Sequence, residues 1–487
     1  MEANKGLLVI VALALAGALG ALIVFNEPTV ILPIFFGLLL LVVAFLSTAA
    51  SLYILVFSML LSPEFLAGEL GGGVTLGRGI TLRFDDILLM VIGFGWLAKR
   101  AFFKGGATVT RTPMNGPIMF YIAIAAVATL FGAMEGRVKG MTGFFFLLKY
   151  YEYVFIYFMV VSSVETDKQA RNLLNASLLT CFLVSLYAIA QIPGGERASA
   201  PFEGETGEPN TLGGYLVFML AVITGLILTP GSMRRQWPLY TLLVLGTIGL
   251  LATLSRASLL AAGAVVLVLS VRLFRRKPIV ASIVLIALLA IPWWAPEAVT
   301  NRILFTFTQP VEQGQIHLGT VRVDTSTSDR IRSWQRAFDF WKTYPIWGAG
   351  VTGGPFMDAM YPRILTETGT AGLVAFFILI GAVFRMGWSA HLQVQDPWAR
   401  GVAIGFLLGL VGLLVHSIGA NSFIIVRIME PFWLVAALVA RSLVTARANE
   451  AAEAQPPIPS AVVESGRGKL GSPAWGEPRL ARLIKPR

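Results

Sequence analysis

The sequence predicts an all-α polytopic membrane protein with 12–14 transmembrane helices and one large helical extracytoplasmic loop. Three observations carry this. Hydrophobic residues make up 56% of the 487 and charged residues 13%, with a mean hydropathy of +0.74. A soluble domain carries about 25% charged residues, so most of the chain cannot present a water-exposed surface. Apolar runs of the length that crosses a bilayer, about 20 residues, recur along the chain. A single 72-residue segment, 296–367, interrupts them with a mixed, charge-bearing composition. Soluble-enzyme classes and wholesale disorder are excluded.

The candidate spans are 6–25, 28–47, 49–62, 85–98, 116–134, 142–163, 172–191, 211–229, 236–254, 257–271, 278–295, 368–388, 400–418 and 422–443. The runs 49–62 and 85–98 are short and are expected to tilt, extend or re-enter. The start, Met1 to Lys5 followed by 20 apolar residues, reads as a retained first span rather than a cleaved leader. Residues 1–295 therefore form an N-terminal bundle, 368–443 a C-terminal set of spans, and 444–487 a disordered tail rich in Ala, Pro, Glu and Arg.

Lysine and arginine set the expected orientation. Short loops at 99–111, 168–171, 234–235, 272–277 and 385–400 each hold at least two basic residues, so they are assigned to the cytoplasm. Both termini then lie inside, in the cytoplasmic membrane. The net charge of +11 is read as these loops facing anionic lipid, with no nucleic-acid partner. The one cysteine, Cys181, has no partner for an internal disulfide, and His317, His391 and His416 are too scattered in sequence to suggest a metal site.

The loop 296–367 falls on the opposite side and is expected to fold as a cap. Ile331, Trp334, Phe338 and Trp341 recur at helical spacing, which predicts an amphipathic helix over 328–344. Pro345 and Gly348-Ala-Gly350 end it, and a second short helix is expected over 357–368.

Several charges need an explanation in so apolar a chain. Lys149 and Glu152, and again Arg427 and Glu430, are spaced i,i+3 inside spans, as internal ion pairs or as the wall of a polar cavity. Arg256 stands between two apolar runs at the outer boundary, either as an anchor or as a fixed guanidinium for a phosphate. Arg330, Arg332 and Arg336 lie within two turns, and Arg332 and Arg336 share a face, a repulsive arrangement that a bound pyrophosphate would relieve. The alternative is a solvated face paired to Asp329 and Asp339. No phosphate-binding loop ending in Gly-Lys-Ser/Thr is present, so ATP is not indicated.

Three ordered segments resemble the O-antigen ligase and O-antigen polymerase superfamily. They are Gly207-Glu-Pro-Asn210-Thr-Leu-Gly-Gly-Tyr215, then Leu254-Ser255-Arg256-Ala-Ser, and then a composite. The composite runs Arg330-Ile-Arg-Ser-Trp334, Tyr344-Pro-Ile-Trp-Gly348-Ala-Gly350 and Asp358-Ala-Met-Tyr361 through Glu367-Thr-Gly369. The resemblance covers roughly 200–390. It implies a fold like the C-type membrane glycosyltransferases and transfer of a glycan from a polyprenyl (undecaprenyl) diphosphate to an acceptor sugar hydroxyl.

By the same resemblance, Arg256, Arg330, Arg332 and Arg336 would bind the diphosphate. Tyr361, Arg363 and Trp334 would contact acceptor or sugar, and Trp341 and Trp347 could stack on sugar rings. Ligases usually carry His-Asn where this chain has Asp358-Ala359, so Asp358 is the first candidate base and Glu367 the second. This departure favours a polymerase of surface-polysaccharide repeat units, working beside a chain-length regulator. A ligase acting on lipid A-core and a protein O-oligosaccharyltransferase stay open, as does a lipid-glycan flippase or transporter. No cofactor or metal is implied, because arginines would neutralise the leaving diphosphate, and direct attack would invert the anomeric centre.

Overall fold

The computed structural model describes residues 42–43, 47–62, 64–66, 81–102, 110–203, 207–229, 233–275, 277–290, 293 and 296–453. The expected span 6–25, nearly all of 28–47, and the tail beyond 453 lie outside the described residues. The first described helix, α1 (Thr48–Leu61), begins on Ser47, whose Oγ accepts the Ala50 N–H. A two-stranded antiparallel pair, β1 (Glu64–Leu66) and β2 (Thr81–Arg83), leads into α2 (Phe84–Phe102). Asp85 and Asp86 sit in the first turn of α2, where the helix dipole favours negative charge.

Short turns, and one longer loop over 191–208, then connect α3 (Asn115–Met134), α4 (Gly140–Ser163), α5 (Asp167–Ala190), α6 (Pro209–Ile227), α7 (Met233–Ala252), α8 (Arg256–Phe274) and α9 (Pro278–Leu289). Local chemistry fixes the starts. Thr166 and Gln169 make a reciprocal capping box before α5. Pro209 opens α6 at a position where no N–H is needed. Ser255 caps α8 through the Ser258 N–H.

The cap follows as α10 (Glu297–Thr308), a small hairpin of β3 (His317–Leu318) and β4 (Val321–Arg322), and α11 (Thr325–Thr343) capped by Asp324. The chain finishes with α12 (Met360–Gln393), α13 (Pro397–His416) and α14 (Val426–Glu453). Among the described residues, eight helices are long and apolar enough to cross a bilayer: α3, α4, α5, α6, α8, α12, α13 and α14. Shorter apolar stretches occur in α1, α7 and α9. The protein is an all-α polytopic membrane protein.

The centre of the bundle is built on close backbone approach between α6 and α13. Gly401, Gly405, Gly409 and Gly412 line the α13 side, and a Cβ on Gly405 would stand 2.6 Å from the Val222 Cα. On α6, a Cβ on Gly225 would stand 2.3 Å from the Gly405 nitrogen. In lipid there is no hydrophobic drive between helices, so small residues that permit such contact supply the packing. Around this seam α14 is buried along nearly all of Val426–Arg441.

The most informative irregularity is in α12. Gly369 has φ 63° and ψ −159°, which breaks the helix into 360–368 and 370–393. The break frees backbone groups that the cap then uses. Ala349 and Gly350 N–H donate to the Thr366 and Glu367 carbonyls at 2.8 and 2.9 Å. Thr370 and Ala371 N–H donate to the Pro345 and Ile346 carbonyls at 2.9 and 3.1 Å. The loop that follows α11 thereby supplies partners for the groups on both sides of the kink.

Three local expectations change. The cap helix starts at Thr325, and its buried side is Ser328, Ser333 and Ala337 rather than the row 331, 334, 338 and 341. Small side chains let it lie against Met357 and Leu365, leaving Phe338 48% exposed and Trp341 37% exposed. The short helix expected over 357–368 is the first part of α12 and begins at Met360. The tail expected from 444 is helical to Glu453, because Val-Thr-Ala-Arg-Ala-Asn-Glu-Ala-Ala-Glu is rich in helix formers and holds no proline before 456.

Candidate active site

Arg256 is the first residue of α8, and the Ser255 cap fixes where it points. Its Nη2 donates to Asp324 Oδ2 at 2.5 Å and its Nη1 to Thr306 Oγ1 at 2.6 Å. Asp324 also caps α11, accepting the Thr327 N–H at 3.2 Å. One guanidinium therefore ties a bundle helix to both α10 and α11. Burial alone would raise the Asp324 carboxyl; the hydrogen bonds from Arg256 and Thr327 outweigh that and hold it below the usual carboxylate range.

Three further arginines face the same place. Arg330 reaches out from α11 to donate from Nε to the Gly419 carbonyl at 3.0 Å. Arg197, in the loop before α6, donates from Nε to the Thr253 carbonyl at 3.2 Å. Arg302 comes from α10, and its Nε is buried with no hydrogen-bond partner among the described residues. Their electrostatics are coupled. Burial lowers Arg330, and Arg256 lowers it further. Burial and then Arg256 lower Arg302. Arg197 is brought down to about 10, first by burial and then by Arg302, Arg256 and Arg330. Like charges shift one another in this way only when crowded together.

Four guanidiniums thus converge where the balancing carboxylates are Asp324, which is already committed to Arg256, and Asp358. Asp358 is exposed, its charge opposes that of Arg330, and it makes no side-chain hydrogen bond among the described residues. Such a surplus of half-buried positive charge beside an accessible carboxylate suits an anionic group and a proton acceptor at one site.

The other sequence candidates lie elsewhere. Arg332 pairs with Asp329 at 3.5 Å, and Arg336 is exposed with its Nε on the Arg332 carbonyl at 3.4 Å. At about 100° per residue, two positions along α11 turn Arg332 roughly 200° from Arg330, so one helix face cannot serve both. Glu367 has both oxygens engaged, Oε1 by Arg363 at 3.0 Å and Oε2 by the Tyr150 hydroxyl at 2.9 Å. Arg363 also lies over the rings of Tyr150 and Phe356 at 5.9 and 6.0 Å. Tyr361 gives its hydroxyl to the Leu414 carbonyl at 2.7 Å and stacks on Phe377.

Trp334 lies 5.9 Å from Phe338, ring to ring, on the outer side of α11. Trp347 packs on Phe131, and Trp341 donates to Thr370. The intramembrane charges reach other elements: Lys149 to Asp86 of α2 at 3.1 Å, and Arg427 to Glu203 in the loop before α6 at 3.4 Å.

Residues 241–372 match the family model described as O-antigen ligase. The match supports the resemblance of this segment to the O-antigen ligase and polymerase superfamily. The O-antigen ligase segment runs from within α7 to just past the break in α12, so Arg256, Arg302, Arg330, Asp358 and Glu367 all lie inside it. Arg197 lies outside it and joins from the preceding loop. No curated protein matches the chain.

Sequence reasoning had singled out neither Arg197 nor Arg302. The signal available was modest. Both are arginines in segments assigned to the non-cytoplasmic side, where the distribution of basic residues otherwise runs thin.

Proposed function

We propose that this protein is a membrane glycosyltransferase of the O-antigen polymerase and ligase type. It takes a glycan from a polyprenyl diphosphate and passes it to an acceptor sugar hydroxyl at the outer face of the cytoplasmic membrane. The observation that carries this reading is the convergence of Arg197, Arg256, Arg302 and Arg330, whose charge the surrounding carboxylates do not balance.

The residues then divide the chemistry between them. As the bond from the anomeric carbon to the diphosphate oxygen breaks, negative charge grows on the departing lipid diphosphate. Guanidiniums fixed beforehand stabilise that charge without reorganising, and this lowers the barrier. Arg330 and Arg256 are held by Gly419 and by Asp324 and Thr306 respectively, so they are oriented before substrate arrives. Asp358 accepts the proton of the attacking hydroxyl as the new bond to the anomeric carbon forms, which inverts that centre. Glu367, engaged by Arg363 and Tyr150, holds the helix break instead.

Asp358-Ala359 in place of the ligases' His-Asn favours polymerisation of repeat units over ligation. Both termini are assigned to the cytoplasm on the distribution of lysine and arginine.

The test is transfer of glycan between lipid-linked substrates by the purified protein in detergent. Product formation there supports an enzyme, because a flippase or transporter has no compartments to connect. Turnover that survives in an Arg256→Ala, Arg330→Ala double variant would remove the reading.

A further inference from the structure

Beside the arginine cluster runs a line of side-chain hydrogen bonds that is buried from Ser255 to Ser422. Ser255 Oγ donates to Asn210 Oδ1 at 2.7 Å, and Ser258 Oγ donates to Ser255 Oγ at 2.8 Å. Ser258 Oγ also lies 3.0 Å from His416 Nε2, and His416 Nδ1 lies 2.7 Å from Ser422 Oγ. Ser255, Ser258, His416 and Ser422 are each fully buried, at 0% exposure.

A hydroxyl has one proton to give. Ser255 gives its proton to Asn210, and Ser258 gives its own to Ser255, so the contact to His416 is left needing a donor on the ring. With the hydroxyls in that direction, Nε2 carries the hydrogen. Both ring nitrogens face neutral hydroxyls, and a doubly protonated ring would be a buried cation with no carboxylate bonded to it. Nδ1 is then the acceptor and takes the Ser422 hydroxyl proton. In that direction every member of the line is satisfied.

The line runs next to the segments that hold the two arginines of the proposed chemistry. Ser255 caps α8 directly before Arg256. The turn after His416 carries Gly419, whose carbonyl takes Arg330 Nε and whose N–H donates to the His416 carbonyl at 3.0 Å. The sequence makes room for this arrangement. A Cβ on Gly213 would stand 2.1 Å from Ser258 Oγ, and one on Gly214 would stand 2.9 Å from His416 Cε1. The Gly-Gly of the Pro209-Asn-Thr-Leu-Gly-Gly run therefore lets α6 lie against the line.

We propose that His416, held with its hydrogen on Nε2, is a positioning residue that sets Arg256 and Arg330 through one polarised hydrogen-bond line from Ser422 to Asn210. The residue does not touch substrate. The inference rests on the reading of the cluster as a lipid-diphosphate site.

Two measurements test it. The first is nitrogen NMR of the histidine-labelled full chain in detergent micelles, with the His416 signal assigned by its loss in His416→Gln. A neutral ring protonated at Nε2 is expected; a hydrogen on Nδ1, or on both nitrogens, overturns the proposal. The second is the affinity of geranylgeranyl diphosphate for the same preparations.

His416→Leu fills the space but donates nothing, and is expected to weaken binding about tenfold. His416→Gln puts an amide N–H at the Nε2 position and is expected to stay within about threefold of the parent. Leucine binding as well as the parent, or glutamine failing as badly as leucine, overturns the positioning role. If the parent protein does not bind the lipid diphosphate, the proposed function falls and takes this inference with it. The wrong tautomer sinks the inference alone.

Discussion

Two clusters of charge border the cap, and they are built on opposite principles. At Arg363, Glu367 and Tyr150, one cation meets one anion, both carboxylate oxygens are used, and the ion-paired side chains are each only 12% exposed. At Arg197, Arg256, Arg302 and Arg330, positive charge exceeds its partners, and a buried Nε on Arg302 makes no hydrogen bond among the described residues. The balanced cluster is complete without a ligand. The unbalanced one carries an electrostatic cost that an anion would remove. Charge balance thus separates the two more sharply than burial does.

The widest break in that comparison comes from the unbalanced side. Arg256→Ala and Arg330→Ala are each expected to cut the turnover of glycan transfer by about 100-fold or more, with Lys recovering only part. Steady-state rates on detergent-purified protein check this, with expression level as the control for insertion. Asp358→Asn keeps shape and loses the base, and the expected loss in turnover is about 100-fold with little change in donor KM. Parent-like turnover in that variant would move the base elsewhere.

Glu367→Gln probes the balanced side. It leaves Arg363 buried without its anion and is expected to cost on the order of 3 kcal/mol of stability. The readout is a lower thermal midpoint, with turnover per folded molecule retained. Arg302→Ala should raise the donor KM about tenfold. Arg336→Ala, exposed and away from the cluster, should stay within about twofold of the parent on every kinetic parameter.

What the sequence made legible follows from where each signal is written. The spans among the described residues, the existence of α11 though not its buried face, and the break residues Pro345 and Gly369 rest on local spacing, and they are readable. Membership of one arginine cluster was not, because Arg197 and Arg302 come from segments about a hundred residues apart and only the fold joins them. Arg332 and Arg336 share a face of α11, but Arg330 stands roughly 200° round the helix from Arg332, which their placement within two turns does not reveal. Of the two partners of Glu367, Arg363 is four positions away and legible as an i,i+4 pair, whereas Tyr150 lies 217 positions away and is not. His416 looked isolated for the same reason: four of the five members of its line come from other elements.

The kink in α12 also decides how this protein can be cut and rejoined. A boundary at 367/368, where composition changes, would sever one half of a clip whose four hydrogen bonds run from Pro345–Gly350 to Thr366–Ala371. The family segment ends at 372, one residue beyond the last of those bonds. A chimera that swaps caps between related proteins should therefore keep 345 to 372 from a single parent. The exposed hairpin near 317–322 is the place to splice a tag or a shorter turn.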